Sequence, residues 1–247
     1  TDPNAIYMGL KCGSPSVSHG HMDVGSFVLD AEGERWASDF GMQNYNSLES
    51  KGVDLWNMRQ NSQRWTIFRY NNLAHNTLTV NNQLQLVDGK AELDDYSSKS
   101  VFANAVTDLT GVYNDELKSA KRGIAIIKGK YAVVRDEVEA ANKVSALRWT
   151  MVTTAAVTIT GANTITLTKG NKKLLMQIKS SQPVSIKQWP AFSSNDYDAP
   201  NPGATLVGFE AVIPSGGRAA FNVYFSTEKN KGAIDHQISP LANWPKD

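Results

Sequence analysis

The runs RGIAIIK at residues 122–128 and YAVVRDEV at 131–138 decide the fold. Both are rich in β-branched residues that pack well on a pleated surface, and a short turn around Gly129 separates them, which predicts an antiparallel hairpin. Similar runs continue toward the C-terminus at 144–153, 156–160, 164–168, 173–180, 184–189, 204–212 and 218–226. Gly161-Ala162-Asn163 and Lys169-Gly170-Asn171 punctuate them as turns. No ten-residue stretch in this half carries helical periodicity. The expected class is therefore all-β: an antiparallel β-sandwich of stacked sheets with few or no helices.

Toward the N-terminus the pattern is less regular. Residues 26–30 and 35–40 predict a hairpin around Ala31-Glu32-Gly33-Glu34, and 78–80 a short strand turning at Asn81-Asn82. Between them, residues 45–70 form a long segment rich in Asn, Gln, Trp and Arg. A compact domain rarely keeps such a segment idle, so a short helix or a binding loop is expected there. The loop 193–203 carries Asp196, Asp198, Pro200 and Pro202, and it reads as a surface connection rather than a calcium site because no regular ligand spacing is present. Trp149 and Trp189 lie in strands and are expected in the core.

With 247 residues and a net charge of +1, the chain can bury a sizeable core and has no basic surplus for nucleic acid. No apolar run is long enough for a membrane span. Cys12 is the only cysteine, so no internal disulfide is possible, and it reads as a small packed hydrophobe. The opening Thr1-Asp2-Pro3 has the look of the interior of a longer protein, so the absence of an export signal does not argue against export.

Chemistry concentrates in the histidines. Of four, two form His19-Gly20-His21, and in an extended segment residues two apart point to one face. His75 lies in Leu73-Ala74-His75-Asn76-Thr77, and Asp39 lies at the end of the predicted strand 35–40, within Trp36-Ala37-Ser38-Asp39-Phe40-Gly41. Two imidazoles and a carboxylate make a common zinc set with an open fourth position, though this spacing alone is a weak signal. The hairpin would leave His21 roughly 16 Å from Asp39 along a straight strand, so the chain must bend back between Gly20 and Gly25. Asp23 is a candidate for orienting a histidine or for shaping that turn. His236 reads as an ordinary surface histidine.

Three motifs in order carry a resemblance: residues 18–27 (SHGHMDVGSF), 36–41 (WASDFG) and 72–78 (NLAHNTL). With the later run at 131–138, they resemble the heparinase II/III family of polysaccharide lyases. The motif-bearing part covers roughly residues 10–140, and residues 141–247 continue the β-rich pattern within a single domain spanning 1–247. The resemblance implies zinc held by His21, Asp39 and His75, with His19 facing the cleft beside the substrate uronate. Ser18 stands where some relatives carry asparagine. The resemblance also implies an α/α toroid ahead of this domain that supplies a tyrosine and completes the active site, and a periplasmic or secreted setting. Nothing in this chain corresponds to that toroid.

The reaction implied by the resemblance is β-elimination on an acidic, uronate-containing glycan. His19 would either accept the proton or donate to the carboxylate, zinc would act as a structural clamp, and the isolated chain would have little or no activity. Tyr45 and Arg69, in the irregular segment, are candidate substrate contacts, with Trp56, Arg59, Trp65 and Tyr70 as neighbours whose simpler role is packing. A carbohydrate-binding or scaffold module with a purely structural metal is the alternative. A zinc hydrolase using the open coordination position is a third.

Overall fold

The structure, a computed structural model, describes residues 2–247. Its strands in chain order are β1 (Tyr7–Leu10), β2 (Phe27–Ala31), β3 (Glu34–Ala37), β4 (Leu78–Val80), β5 (Leu93–Ser97), β6 (Phe102–Asp108), β7 (Leu117–Ile127) and β8 (Tyr131–Ala140). They continue with β9 (Ser145–Thr153), β10 (Ala156–Gly161), β11 (Thr164–Lys169), β12 (Lys172–Ser180), β13 (Val184–Pro190), β14 (Thr205–Ile213) and β15 (Arg218–Thr227). The only α-helices among the described residues are short, α1 (Tyr45–Glu49) and α2 (Thr110–Tyr113). No helix among them is long and apolar enough to cross a membrane.

The hairpin expected around Gly129 is β7–β8, paired antiparallel from Leu117↔Ala140 to Ile127↔Tyr131. Its turn takes Lys128 and Gly129 through positive φ (51° and 62°), the twist that suits a tight connection between right-twisted strands. This hairpin is the centre of an eight-stranded antiparallel sheet ordered β10-β11-β12-β15-β8-β7-β6-β5. A four-stranded sheet, β13-β14-β9-β4, and a three-stranded sheet, β1-β2-β3, complete the structure. Alternating side chains from all three meet in one apolar cluster: Phe27 and Trp36 from the small sheet, Val134, Phe221 and Phe225 from the large one, Trp149 and Phe209 from the third. Phe27 meets Trp149 and Phe209 meets Phe221 across sheets, with ring centroids 5.6 and 5.4 Å apart, so the expected sandwich has its core where the sheets face one another. Trp189, expected in the core, is instead half-buried at the rim, where the Arg148 guanidinium lies over its ring.

One charged pair sits inside this core. Arg122 of β7 and Asp136 of β8 are fully buried and joined at 2.7 and 3.0 Å. The Trp149 indole N–H donates to the same carboxylate. Arg122 Nη1 donates onward to the carbonyls of Gly25 and Asn76, at 2.7 and 2.8 Å. A buried pair is tolerable only when its remaining donors and acceptors are satisfied, and these are spent on two segments that also carry the site.

Strand β3 ends at Ala37, two residues before Asp39, because Ser38 leaves its partner and bridges to Val152 of β9. The expected strand 35–40 is therefore cut short, and Asp39 sits on the irregular chain beyond it. The Asn76 side chain reinforces this crossing: its amide donates to the carbonyls of Phe27 and Ser38, and its oxygen accepts the Val152 amide.

Candidate functional site

The segment 45–70 condenses into α1 and, with the residues just after it, three short 3₁₀ turns at Gln63–Thr66, Phe68–Tyr70 and Asn72–Ala74. It has its own apolar cluster, in which Met22 meets Leu48, Leu55, Trp65, Ile67 and Tyr70. Asn44 caps α1 by accepting the Ser47 amide, which places Tyr45 at the helix start. The loop 193–203 is more than a connection: it straps this layer down. Asp198 accepts the Phe68 amide at 2.9 Å, Tyr197 shares a hydrogen bond with Thr66, and Gln43 donates to the Tyr197 carbonyl.

His19-Gly20-His21 crosses above that layer. Gly20 is obligatory, since a Cβ there would lie 2.3 Å from the Pro15 carbonyl oxygen. His19 adopts a left-handed conformation (φ 60°), so the segment is not extended and the two imidazoles do not share a face as expected. They part. His19 is exposed, stacks parallel to Tyr45 at 5.6 Å, meets Trp56 edge-on, and shares a 2.9 Å hydrogen bond between its Nδ1 and the Tyr45 hydroxyl. His21 is buried, stacks on Tyr70 at 4.4 Å and lies 5.7 Å from the His75 ring.

The chain does bend back after Gly20. The Ser26 amide donates to the Asp23 carbonyl, and Gly25 turns with φ 81°. His21, Asp23 and Asp39 consequently line one groove of about 490 Å³ together with Lys11 and Gly41. His75 is completely buried, with Nδ1 2.8 Å from the Asp39 carboxylate and Nε2 donating to the Arg69 carbonyl at 3.0 Å. Burial alone would raise the Asp39 carboxyl, but the facing His75 ring, its hydrogen bond and the Gly41 amide carry it well below the usual range. Burial pulls His75 down, but Asp39 overrides this and leaves the ring raised. His21 is pushed down to about 3, chiefly by burial and then by the His75, Lys11 and Arg64 charges, so it is neutral and a competent donor at ordinary pH.

Ligand atoms of His21, Asp23 and His75 all lie within 4.8 Å of one another. One Asp23 oxygen pairs with Lys11 at 2.6 Å, while the other, Oδ1, is buried with no hydrogen-bond partner. An orphaned buried carboxylate oxygen, on a residue clustered with two imidazoles, is costly unless something positive answers it. The residues therefore fit a divalent cation with nitrogen and oxygen ligands. Sequence reasoning assigned Asp23 no ligand role; its place two residues after His21 in a segment that must turn was the available signal.

Tyr45 sits directly against His19. Arg69 is half-buried and commits three donors to the protein, to Asn201 Oδ1, the Met42 carbonyl and the Pro200 carbonyl. It ties the 193–203 strap to the site and keeps two of its five donors.

A family model described as heparinase II/III-like, C-terminal, matches residues 2–215. The chain belongs to this heparinase II/III-like family. A heparinase III gene product superposes with a TM-score of 0.67 at 14% identity, covering 93% of this chain and 34% of that one. The heparan sulfate lyase HepC from Pedobacter heparinus gives 0.64 at 18% identity, covering 97% and 34%. A crystal structure of heparinase III gives 0.66 at 15% identity, covering 96% and 37%. At such identities the likeness establishes the fold, and the chain spans about a third of the length of these structures. No curated protein matches the heparinase II/III-like chain in a direct sequence comparison.

Proposed function

We propose that this heparinase II/III-like chain is the C-terminal domain of a polysaccharide lyase that cleaves an acidic, uronate-containing glycan by β-elimination, acting outside the cytoplasm. The observation that carries the reading is the exposed His19 ring, held by Tyr45 beside a buried His/Asp cluster on the fold of heparinase III.

In the elimination a base removes the proton at C5 of the uronate. The electron pair becomes the C4–C5 double bond, the C4–oxygen bond breaks, and the departing oxygen is protonated. The C5 proton is weakly acidic, so the site must answer the charge that builds on the carboxylate. With Nδ1 engaged by Tyr45, Nε2 is the His19 nitrogen left for substrate. When the tyrosine donates to Nδ1, Nε2 carries a proton and donates to the carboxylate. When it accepts from Nδ1, Nε2 is a base. Tyr45 also offers an edge for the sugar, and Arg69 retains donors for an anionic substituent. The remaining proton transfer would fall to a tyrosine of a preceding α/α toroid, and the chain by itself is expected to turn over slowly or not at all.

His21, Asp39 and His75 would hold zinc, with the Asp23 carboxylate as a further group in reach. When bound, the ion supplies a structural crosslink and a compact positive charge. The residues arrange the rest: the Nε2–Arg69 bond of His75 fixes its tautomer and leaves Nδ1 turned toward Asp39. Joining His21 to His75 also fixes the base of the His19 loop.

The test is release of ultraviolet-absorbing unsaturated uronates from acidic glycans by the full-length protein. His19→Ala should abolish that product while leaving metal content intact. Hydrolysis without the chromophore, or full activity in the variant, would refute the reading.

A further inference from the structure

Arg64 lies in the 3₁₀ turn beneath the histidines and is completely buried. Its Nη2 donates to the Gly20 carbonyl at 2.7 Å, between His19 and His21, and its Nη1 to the Leu55 carbonyl at 2.8 Å. The guanidinium carbon is 4.6 Å from the centre of the Tyr70 ring, the ring on which His21 stacks. Arg122, the other fully buried arginine of the core, is neutralised by Asp136. Arg64 has no carboxylate partner among the described residues, and its Nε makes no hydrogen bond.

An uncompensated buried cation is expensive, and a neutral side chain could hold two carbonyls at lower cost. The charge lies close to both histidines, bonded to the peptide that joins them and set over the ring on which His21 stacks. A fixed positive charge beneath a surface that receives carboxylates strengthens their binding, because the low-dielectric layer around it screens little.

We propose that Arg64 is a specificity-determining residue whose buried, unpaired charge makes the surface around the exposed His19 prefer a carboxylate-bearing sugar over its neutral counterpart. This rests on the reading of the His19 surface as a uronate site. Arg64 acts through the field and through the Gly20 peptide, without touching substrate.

The experiment uses the full-length, metal-loaded protein, titrated with methyl glucuronide and with methyl glucoside while the His19 ring is followed by NMR. The wild type should bind the glucuronide more tightly. Arg64→Lys keeps the charge and should keep the preference. Arg64→Gln keeps a donor for Gly20 but no charge, and should lower the affinity ratio about tenfold, the scale of one unit charge acting through a partly shielded medium. Metal content and the His19 resonance in the absence of sugar should match the wild type in both. Citrulline at position 64, which keeps the planar fork without the charge, gives the same comparison should Arg64→Gln not fold. A wild type without preference, an unchanged ratio in the neutral variants, or equal losses for both sugars in the lysine and neutral variants would overturn the proposal. If no unsaturated uronate is ever released but the preference persists and depends on residue 64, the lyase reading fails and this inference stands. If elimination occurs and the ratio ignores residue 64, only this inference fails.

Discussion

Replacing Asp136 by Asn tests whether the core and the site share one anchor. The carboxylate accepts Arg122 Nε and Nη2 and the Trp149 indole, and both members of the ion pair are fully buried. Asparagine preserves the shape and leaves Arg122 charged without a counter-ion, which costs about 3–5 kcal/mol for such pairs. For a domain of this size that is roughly 6–20 °C in Tm. Arg122→Met should cost a similar amount, since it leaves Asp136 unpaired and removes the donor to Gly25 and Asn76. The double variant should cost less than the sum by about 2 kcal/mol or more, because the second change removes the charge stranded by the first. Thermal and denaturant unfolding followed by near-ultraviolet circular dichroism give these values. A second consequence is local: Gly25 and Asn76 flank the segments bearing Asp23 and His75, so Asp136→Asn should weaken metal binding well below its melting temperature. Additive effects, or an Asp136→Asn variant within about 1 kcal/mol of wild type, would refute the claim of a coupled buried hub.

Three further outcomes are expected. His75→Ala, at a fully buried site with both ring nitrogens bonded, should lose metal and stability together, and chelation should lower the wild-type Tm but leave this variant unmoved. Asp198→Ala should speed amide exchange in residues 66–70 and 193–203 with little change in global Tm, since its carboxylate holds Phe68, Ser193 and Asn195; a large drop in Tm with uniform exchange would contradict the strap. In chelator-treated protein His21 has a folded value near 3 against an ordinary 6.5, so the unfolded chain takes up the proton first and stability falls as pH drops from about 6.5 toward 3; His21→Asn should flatten that decline between pH 6.5 and 4.5, where carboxylates contribute least, and an unaltered slope would count against the buried neutral ring.

The strands of the second half were legible because each has a local signature. Runs of β-branched residues between glycine turns matched β7 to β15 to within a residue or two at most ends, since hairpin register is set by nearby turns. Short strands without such a run escaped: β1 (Tyr7–Leu10) pairs with β2 across a long gap, and the burial of β5 alternates poorly. Residues 45–70 could be marked as irregular but not built, because their 3₁₀ turns are held by contacts with Met22 and the 193–203 strap rather than by periodicity. That strap read as a surface connection because its hydrogen bonds go to residues more than a hundred positions away, and no local pattern encodes them.

The site shows the same division. His21, His75 and Asp39 came from motifs; the bend that the glycines permitted puts His21 and Asp39 on one groove, with His75 buried behind Asp39, while the cluster of potential ligand atoms is His21, Asp23 and His75. The orientation of the rings could not be read from the H-x-H spacing, which assumes an extended chain. A left-handed His19 sends the two imidazoles to opposite tasks, one exposed against Tyr45 and one buried against His75. That separation has a chemical consequence. An imidazole that takes or gives a proton needs water or substrate at its free nitrogen, whereas one that holds an ion must stay neutral and fixed. Two histidines flanking one residue of an extended strand would share one dielectric and one face. The left-handed turn at His19, with Gly20 pressed against Pro15 and held from below by Arg64, lets three residues place an exposed ring and a buried, neutral one on either side of the same peptide.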